Sequence, residues 1–266
     1  MTMETTQHAY APVNGLAMYY EIGGDGPPAV YIPPAWSHAT VIPALPANRR
    51  WISVDLQGHG RTADIDRPFS FEQSAEDVVA LLKHLGIEQA DLFGESFGGI
   101  VALLIAIRHP EVVRRVAVYG SPWRFEDAYS TDMLEQFLAI TDDSDSVQFQ
   151  RENYKKVAPD PTHWPTLFEK VHKVAWNGFT PEELKSIGAP VLIALGDHDW
   201  LRPEHMVDMY RLIPNAQLAV IPDAGHFVLY EDPDRLLPIV ARFFDAPVSS
   251  LPFATPGTGY HPGVTR

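Results

Sequence analysis

The sequence predicts an α/β fold: a mostly parallel sheet covered by helices on both faces, interrupted by one helical insertion. Three observations carry that expectation. Short apolar runs alternate with helical segments through residue 122 and again from residue 189. Between them, residues 123–188 show helical patterns with no strand among them. Finally, 266 residues with 45% hydrophobic and 20% charged side chains can bury roughly three-quarters of the unfolded surface around one core.

Strands are expected at 17–22, 29–32, 51–55, 90–94 and 115–119, each a short apolar run bounded by Gly, Pro or polar residues. The strand at 29–32 ends on Pro33-Pro34, neither of which has a backbone N–H. Such a pair is either a plain edge-strand terminator or the rim of a site whose donor lies one residue later. Residues 70–86 read as an amphipathic helix: Phe71, Ala75, Val78, Leu82 and Leu85 recur at steps of three and four, and Ser70 with Gln73 has capping-box spacing. Residues 98–108, GGIVALLIAIR, are apolar all round, which a globular chain tolerates only in a helix buried at its centre.

Within the insertion, helices are expected at 133–140, 147–156, 164–176 and 181–187, with Trp123, Phe125, Phe137, Trp164, Phe168 and Trp176 largely filling a small core of its own. Beyond it come a strand at 191–195, a helix at 203–212, a strand at 217–221 and a helix at 232–244 whose apolar face includes Leu236, Ile239, Val240 and Phe243. The resulting organisation is a core of residues 1–122 and 189–247, a helical cap of 123–188 inserted into it, and a flexible tail of 248–266 rich in Pro, Gly, Ser and Thr.

Composition narrows the function. With 34 acidic residues against 20 basic, the net charge is −14 and no Lys or Arg run breaks it, so neither nucleic acid nor an anionic membrane is an expected partner. The longest apolar run, 100–107, is eight residues, against the roughly 20 that span a bilayer. The opening MTMETT has neither a basic leader nor an apolar segment, so no secretory signal is expected and a cytoplasmic location follows. The absence of cysteine removes disulfides, thiolate nucleophiles and thiolate metal sites. The expected partner is a small-molecule substrate, and a homodimer is left open.

The chemistry concentrates at Gly94-Glu95-Ser96-Phe97-Gly98-Gly99, a G-x-S-x-G between an apolar strand and the buried helix. A serine on so tight a turn is held in strained backbone geometry, and flanking glycines avoid clashes with the neighbouring strand and helix. Its hydroxyl then stands at the sheet's carboxyl edge over a helix N-terminus, whose dipole favours developing negative charge. Without that setting the pattern would be an ordinary glycine-rich turn. A serine hydroxyl is a weak nucleophile unless a histidine takes its proton and a carboxylate orients that histidine.

Among the histidines, His226 in VIPDAGHF follows the last expected strand, where a loop can bring it back over Ser96. His38, His59, His84, His109, His163, His172 and His205 read as solvated or packing residues. For the carboxylate, LIALGDHDWLRP offers Asp197 and Asp199 just past a strand end. His198 lies between them, but three consecutive side chains point apart and no second histidine cluster is evident, so neither a metal nor a cofactor is expected.

The order Ser96, Asp199, His226, with these motifs, resembles the α/β-hydrolase superfamily over residues 15–122 and 189–246. The superfamily's acid falls in a G-x-x-D pattern, which Gly196-Asp197-His198-Asp199 matches; the resemblance therefore assigns Asp199 and leaves Asp197 as a turn former. The stretch from Asp55 to Thr62 looks like the family's D-x-x-G-x-G-x-S/T turn, which shapes the fold. A serine at the elbow, where haloalkane dehalogenases and epoxide hydrolases need a carboxylate, implies acyl transfer to water. Ser96 attacks, His226 accepts and returns the proton, Asp199 steadies the imidazolium, and an acyl-enzyme is hydrolysed.

The resemblance also implies an oxyanion hole built from the backbone N–H of Phe97 and one from the loop after the strand at 29–32. The superfamily usually has His-Gly at that strand end. Pro33-Pro34 stands in its place here, which puts the donor on Ala35, with Trp36 as the fallback. Substrate contacts are expected from Trp36, Trp123 and Phe227. The implied function is a serine hydrolase for a small, neutral, fairly apolar carboxylic ester or lactone under an aromatic cap. Amidase, carbon–carbon hydrolase and perhydrolase activities share these motifs. The alternative from another class is a ligand-binding member of the fold with weak or no turnover, against which the complete Ser96, Asp199, His226 set argues.

Overall fold

The structure, a computed structural model, describes residues 6–38 and 48–246, so the tail expected at 248–266 lies outside the described residues. Its strands are β1 (Gln7–Val13), β2 (Leu16–Gly23), β3 (Pro28–Ile32), β4 (Arg50–Val54), β5 (Ala90–Glu95), β6 (Val113–Tyr119), β7 (Val191–Gly196) and β8 (Ala216–Ile221). They form one sheet in the order β1-β2-β4-β3-β5-β6-β7-β8. The first two pairings, β1 with β2 and β2 with β4, are antiparallel. All the others are parallel.

Two strand-level findings differ from expectation. The sequence reading places no strand at β1, whose QHAYAPV is half exposed and carries a proline, features an edge strand tolerates. And β3 lies between β4 and β5, inside the sheet, so Pro33-Pro34 does not terminate an edge.

Alternation along the strands buries both faces. Val30 and Ile32 join one apolar cluster with Leu92, Val118 and Ile193, while Ala29 and Tyr31 join another with Phe93, Tyr119 and Ala194. The first face is covered by α1 (Phe71–His84) and α2 (Phe97–Arg108), and the second by α9 (Leu237–Asp245). Ile100, Leu103 and Ile105 of α2 have no exposure, and each such side chain contributes roughly 1.5–3 kcal/mol by leaving water.

At the start of α1 the capping runs one way. Ser70 Oγ accepts from the Gln73 N–H at 3.1 Å, but the Gln73 amide donates forward to Asp77 Oδ1 instead of back to Ser70.

Between β6 and β7 run α3 (Thr131–Leu138), α4 (Gln148–Val157), α5 (Trp164–His172) and α6 (Pro181–Lys185). Val147, Trp164, Leu167 and Phe168 join the first apolar cluster, so these helices share the main core rather than enclosing one of their own. After β7, α7 (Pro203–Leu212) spans the expected residues. The helix expected at 232–244 is instead broken: α8 (Val228–Glu231) comes first, a 3-10 turn covers Pro233–Arg235, and α9 starts at Leu237. Pro233 and Pro238 cannot donate to a preceding turn, so the helix restarts at each.

The Asp55 turn is structural in detail. Asp55 Oδ2 accepts from the Arg61 N–H at 2.8 Å, and Thr62 Oγ1 donates to the Asp55 carbonyl at 2.7 Å while accepting from the Tyr19 N–H. Among the described residues no helix is long and apolar enough to cross a membrane.

Candidate active site

The parallel strands deliver the site. Ala35 and Trp36 follow β3, Ser96 follows β5, Gly120 follows β6, Asp199 follows β7 and His226 follows β8, so all lie at the carboxyl edge, where open α/β sheets place their ligands.

Ser96 has φ 51° and ψ −118°, a left-handed conformation that a serine adopts only where its surroundings impose it. The surroundings are visible: Ser96 N–H donates to the Tyr119 carbonyl at 2.8 Å, and the Ser96 carbonyl accepts from Gly99 N–H at 3.0 Å. A side chain at Gly98 would stand 2.0 Å from the Ile32 carbonyl oxygen, so glycine there lets the end of β3 pack directly on the elbow. Ser96 is the N-cap of α2, and the N–H of Phe97 in the first turn has no partner within the helix.

Asp199 Oδ1 lies 2.9 Å from Nδ1 of His226 and also accepts from the Leu201 N–H at 3.1 Å. With the proton on Nδ1 facing this carboxylate, Nε2 is the nitrogen left to accept one. Both side chains are buried. Burial pushes the His226 pKa down, but the Asp199 charge and hydrogen bond, helped by Glu95, more than offset it, so the imidazole titrates above its ordinary value.

Gly120, at φ 56°, makes room for the pair, since a Cβ there would sit 2.9 Å from Asp199 Oδ2 and 3.0 Å from His226 Nδ1. Tyr119 donates from its hydroxyl to the Gly225 carbonyl, anchoring the loop that carries His226. Asp197 does a different job: its Oδ1 accepts from the Ala224 N–H at 3.3 Å, tying the acid loop to the histidine loop.

After β3, Ser37 N–H donates to the Pro34 carbonyl at 3.3 Å and Trp36 has φ 58°, as in a type II turn with Ala35 and Trp36 at its centre. The Trp36 ring is stacked on Phe168 of α5 with centroids 4.9 Å apart, so the inserted helices brace this turn.

Ser96, Phe97, Ala35, Trp36, His226 and Phe227 all open onto one cavity of about 320 Å³. The structure thus brings together every residue expected at the site except Trp123. That indole is 4% exposed, stacks on His205 at 5.5 Å, and its backbone N–H donates to His205 Nε2, so it packs on α7 instead of facing substrate. Burial also pushes the His205 pKa down to about 4, as suits a packing histidine.

Sequence reasoning missed much of the remaining lining, including Met133 and Phe137 of α3, Gln150 of α4, Ile140 and Val147 between those two helices, and Trp200. Trp200 stacks on the His226 ring, with centroids 4.5 Å apart and planes 15° off parallel. Its only sequence signal is its place beside Asp199.

A mostly parallel sheet with a strained serine at the turn after its central strand is the frame of a hydrolase. The pattern of the Alpha/beta hydrolase family matches residues 23–239, and the chain belongs to that family. Among similar proteins, the 2-hydroxymuconate semialdehyde hydrolase of Pseudomonas putida is 27% identical over 223 residues, covering 73% of this chain and 76% of that one. The pimeloyl-[acyl-carrier protein] methyl ester esterase of Neisseria meningitidis is 29% identical over 214 residues, covering 70% of this chain and 65% of its own. The structure of the 2-hydroxy-6-oxo-6-phenylhexa-2,4-dienoate hydrolase of Rhodococcus sp. strain RHA1 superposes with a TM-score of 0.75 at 23% identity, over 92% of this chain and 100% of that one.

Proposed function

We propose that this hydrolase cleaves a small, neutral, fairly apolar carboxylic ester or lactone, with Ser96 as nucleophile, His226 as base and Asp199 as the acid that orients it. The cavity carries this reading. Ser96 and His226 share its wall, the rest is largely aromatic and aliphatic, and none of its described lining residues is Lys, Arg, Asp or Glu. An anionic substrate would lose its water there without meeting a counter-charge, whereas an apolar ester loses little. A relative named as a methyl ester esterase supports the ester reading. We take the helices between β6 and β7 to act as a cap over this cavity.

In the proposed reaction His226 Nε2 takes the Ser96 proton as Oγ attacks the carbonyl carbon. The oxyanion accepts from the N–H groups of Phe97 and Ala35, and His226 returns the proton to the leaving alkoxide. Water repeats the sequence on the acyl-enzyme.

A panel of esters and lactones of graded acyl length tests the substrate class. Neutral members should turn over, and a matched ester carrying a free carboxylate should fall at least about tenfold in kcat/KM, since a buried unpaired charge is disfavoured by more than 1.4 kcal/mol. Preference for the anionic ester would overturn the class. The oxyanion assignment has its own measurement. Ala35→Pro removes the N–H at a position whose φ is not left-handed, so kcat should drop about 10²- to 10³-fold with KM little changed. An unaffected kcat would move the donor elsewhere.

A further inference from the structure

Glu95 occupies a position that the hydrolytic reading leaves without a role. It ends β5 directly before Ser96 and has no exposure. Its Oε2 accepts from the Tyr31 hydroxyl at 2.9 Å, while Oε1 has no hydrogen-bond partner among the described residues. The charges that act on it are those of His226 and Asp199. Removing a carboxylate from water is far more unfavourable than one hydroxyl bond can offset, and a neutral side chain of the same shape would serve packing better. The fold nevertheless places an acid here, one residue from the nucleophile.

Resting on the proposed roles of Ser96, His226 and Asp199, we propose that Glu95 is a positioning residue that tunes the basicity of His226: its sealed carboxylate holds the imidazolium formed when Ser96 gives up its proton. The groups facing Glu95 are Tyr31 of β3, Tyr119 of β6, Asp199 after β7, His226 after β8 and Tyr230 of α8. Burial, before any other cause, keeps the three tyrosines protonated. Charge near neutrality is therefore carried by Glu95, Asp199 and His226. Burial drives the Glu95 carboxyl up to about 7 although His226 and Tyr31 pull it down. Glu95 also raises the proton affinity of His226, so the two titrate as a pair.

The sign of the stability effect is opposite to that of the catalytic one. A carboxyl whose folded pKa is raised from 4.5 to about 7 favours the native state fully only below 4.5, and that contribution is lost as pH rises through 7. Glu95 should thus weaken the fold at the pH where it assists the base.

The test uses Glu95→Gln in the full chain, with pH profiles of kcat and kcat/KM on a short ester followed by pH-stat, and Tm from pH 5 to 9. The acidic limb should move to lower pH by on the order of 0.5 to 1 unit, and kcat at pH 8 should fall about three- to tenfold. The Tm at pH 8 should exceed wild type by on the order of 5 °C, with the gap closing toward pH 5. An unmoved limb overturns the proposal, whatever Tm does. Should Glu95→Gln fail to fold, Tyr31→Phe decides: loss of the hydroxyl drives the Glu95 carboxyl higher, and the limb must again move to lower pH. The same assay on Ser96→Ala separates the two readings. Activity in that variant sinks the serine mechanism, whereas a dead Ser96→Ala beside an unmoved Glu95→Gln limb sinks only the role of Glu95.

Discussion

Ser96→Ala is expected to lower kcat/KM on short p-nitrophenyl esters by about 10⁴-fold or more, with the fold intact. The large effect follows from the chemistry: without Oγ no acyl-enzyme forms, and whatever rate remains comes from binding and the oxyanion donors acting on water. The intact fold follows from the geometry. The elbow is held by backbone bonds from Ser96 N–H to the Tyr119 carbonyl and from Gly99 N–H to the Ser96 carbonyl, both of which alanine keeps. A fluorophosphonate probe should label Ser96 and no other residue of the wild-type protein. Full esterase activity in Ser96→Ala would end the serine mechanism, and failure of the native protein to label would favour a ligand-binding role.

The second large effect separates two neighbouring carboxylates. Asp199→Asn should reduce kcat about 10³- to 10⁴-fold, because an amide facing Nδ1 no longer steadies the imidazolium and can impose the wrong tautomer. Asp197→Asn should stay within about threefold. Asp197 is 43% exposed along its side chain, its contact with the exposed His198 is a loose 3.9 Å, and its carboxylate accepts from the Ala224 N–H, which an amide oxygen also does. Kinetics on both variants, checked by Tm, give the ranking, and the reverse order would reassign the acid.

Much of this fold was legible because local pattern reports local backbone. The run at 98–108 is apolar all round, and the structure buries it as α2. The helix expected at 203–212 spans the same residues as α7. Failures came where the pattern was weak. The half-exposed, proline-bearing β1 is a strand because β2 pairs with it, and the helix expected at 232–244 is broken by its prolines.

The serine, its strained turn and the order of its partners could be read from the chain, because G-x-S-x-G between an apolar strand and an apolar helix demands one backbone path. What only the tertiary structure decided is which side chains meet there. Asp199 reaches His226 while Asp197 reaches a backbone N–H of the same loop. Trp200 stacks on the imidazole while Trp123 turns away to His205. Glu95 is left with Tyr31 and the charges of the site. Each outcome depends on where a loop leaving the sheet's carboxyl edge returns, which no periodicity within the chain records.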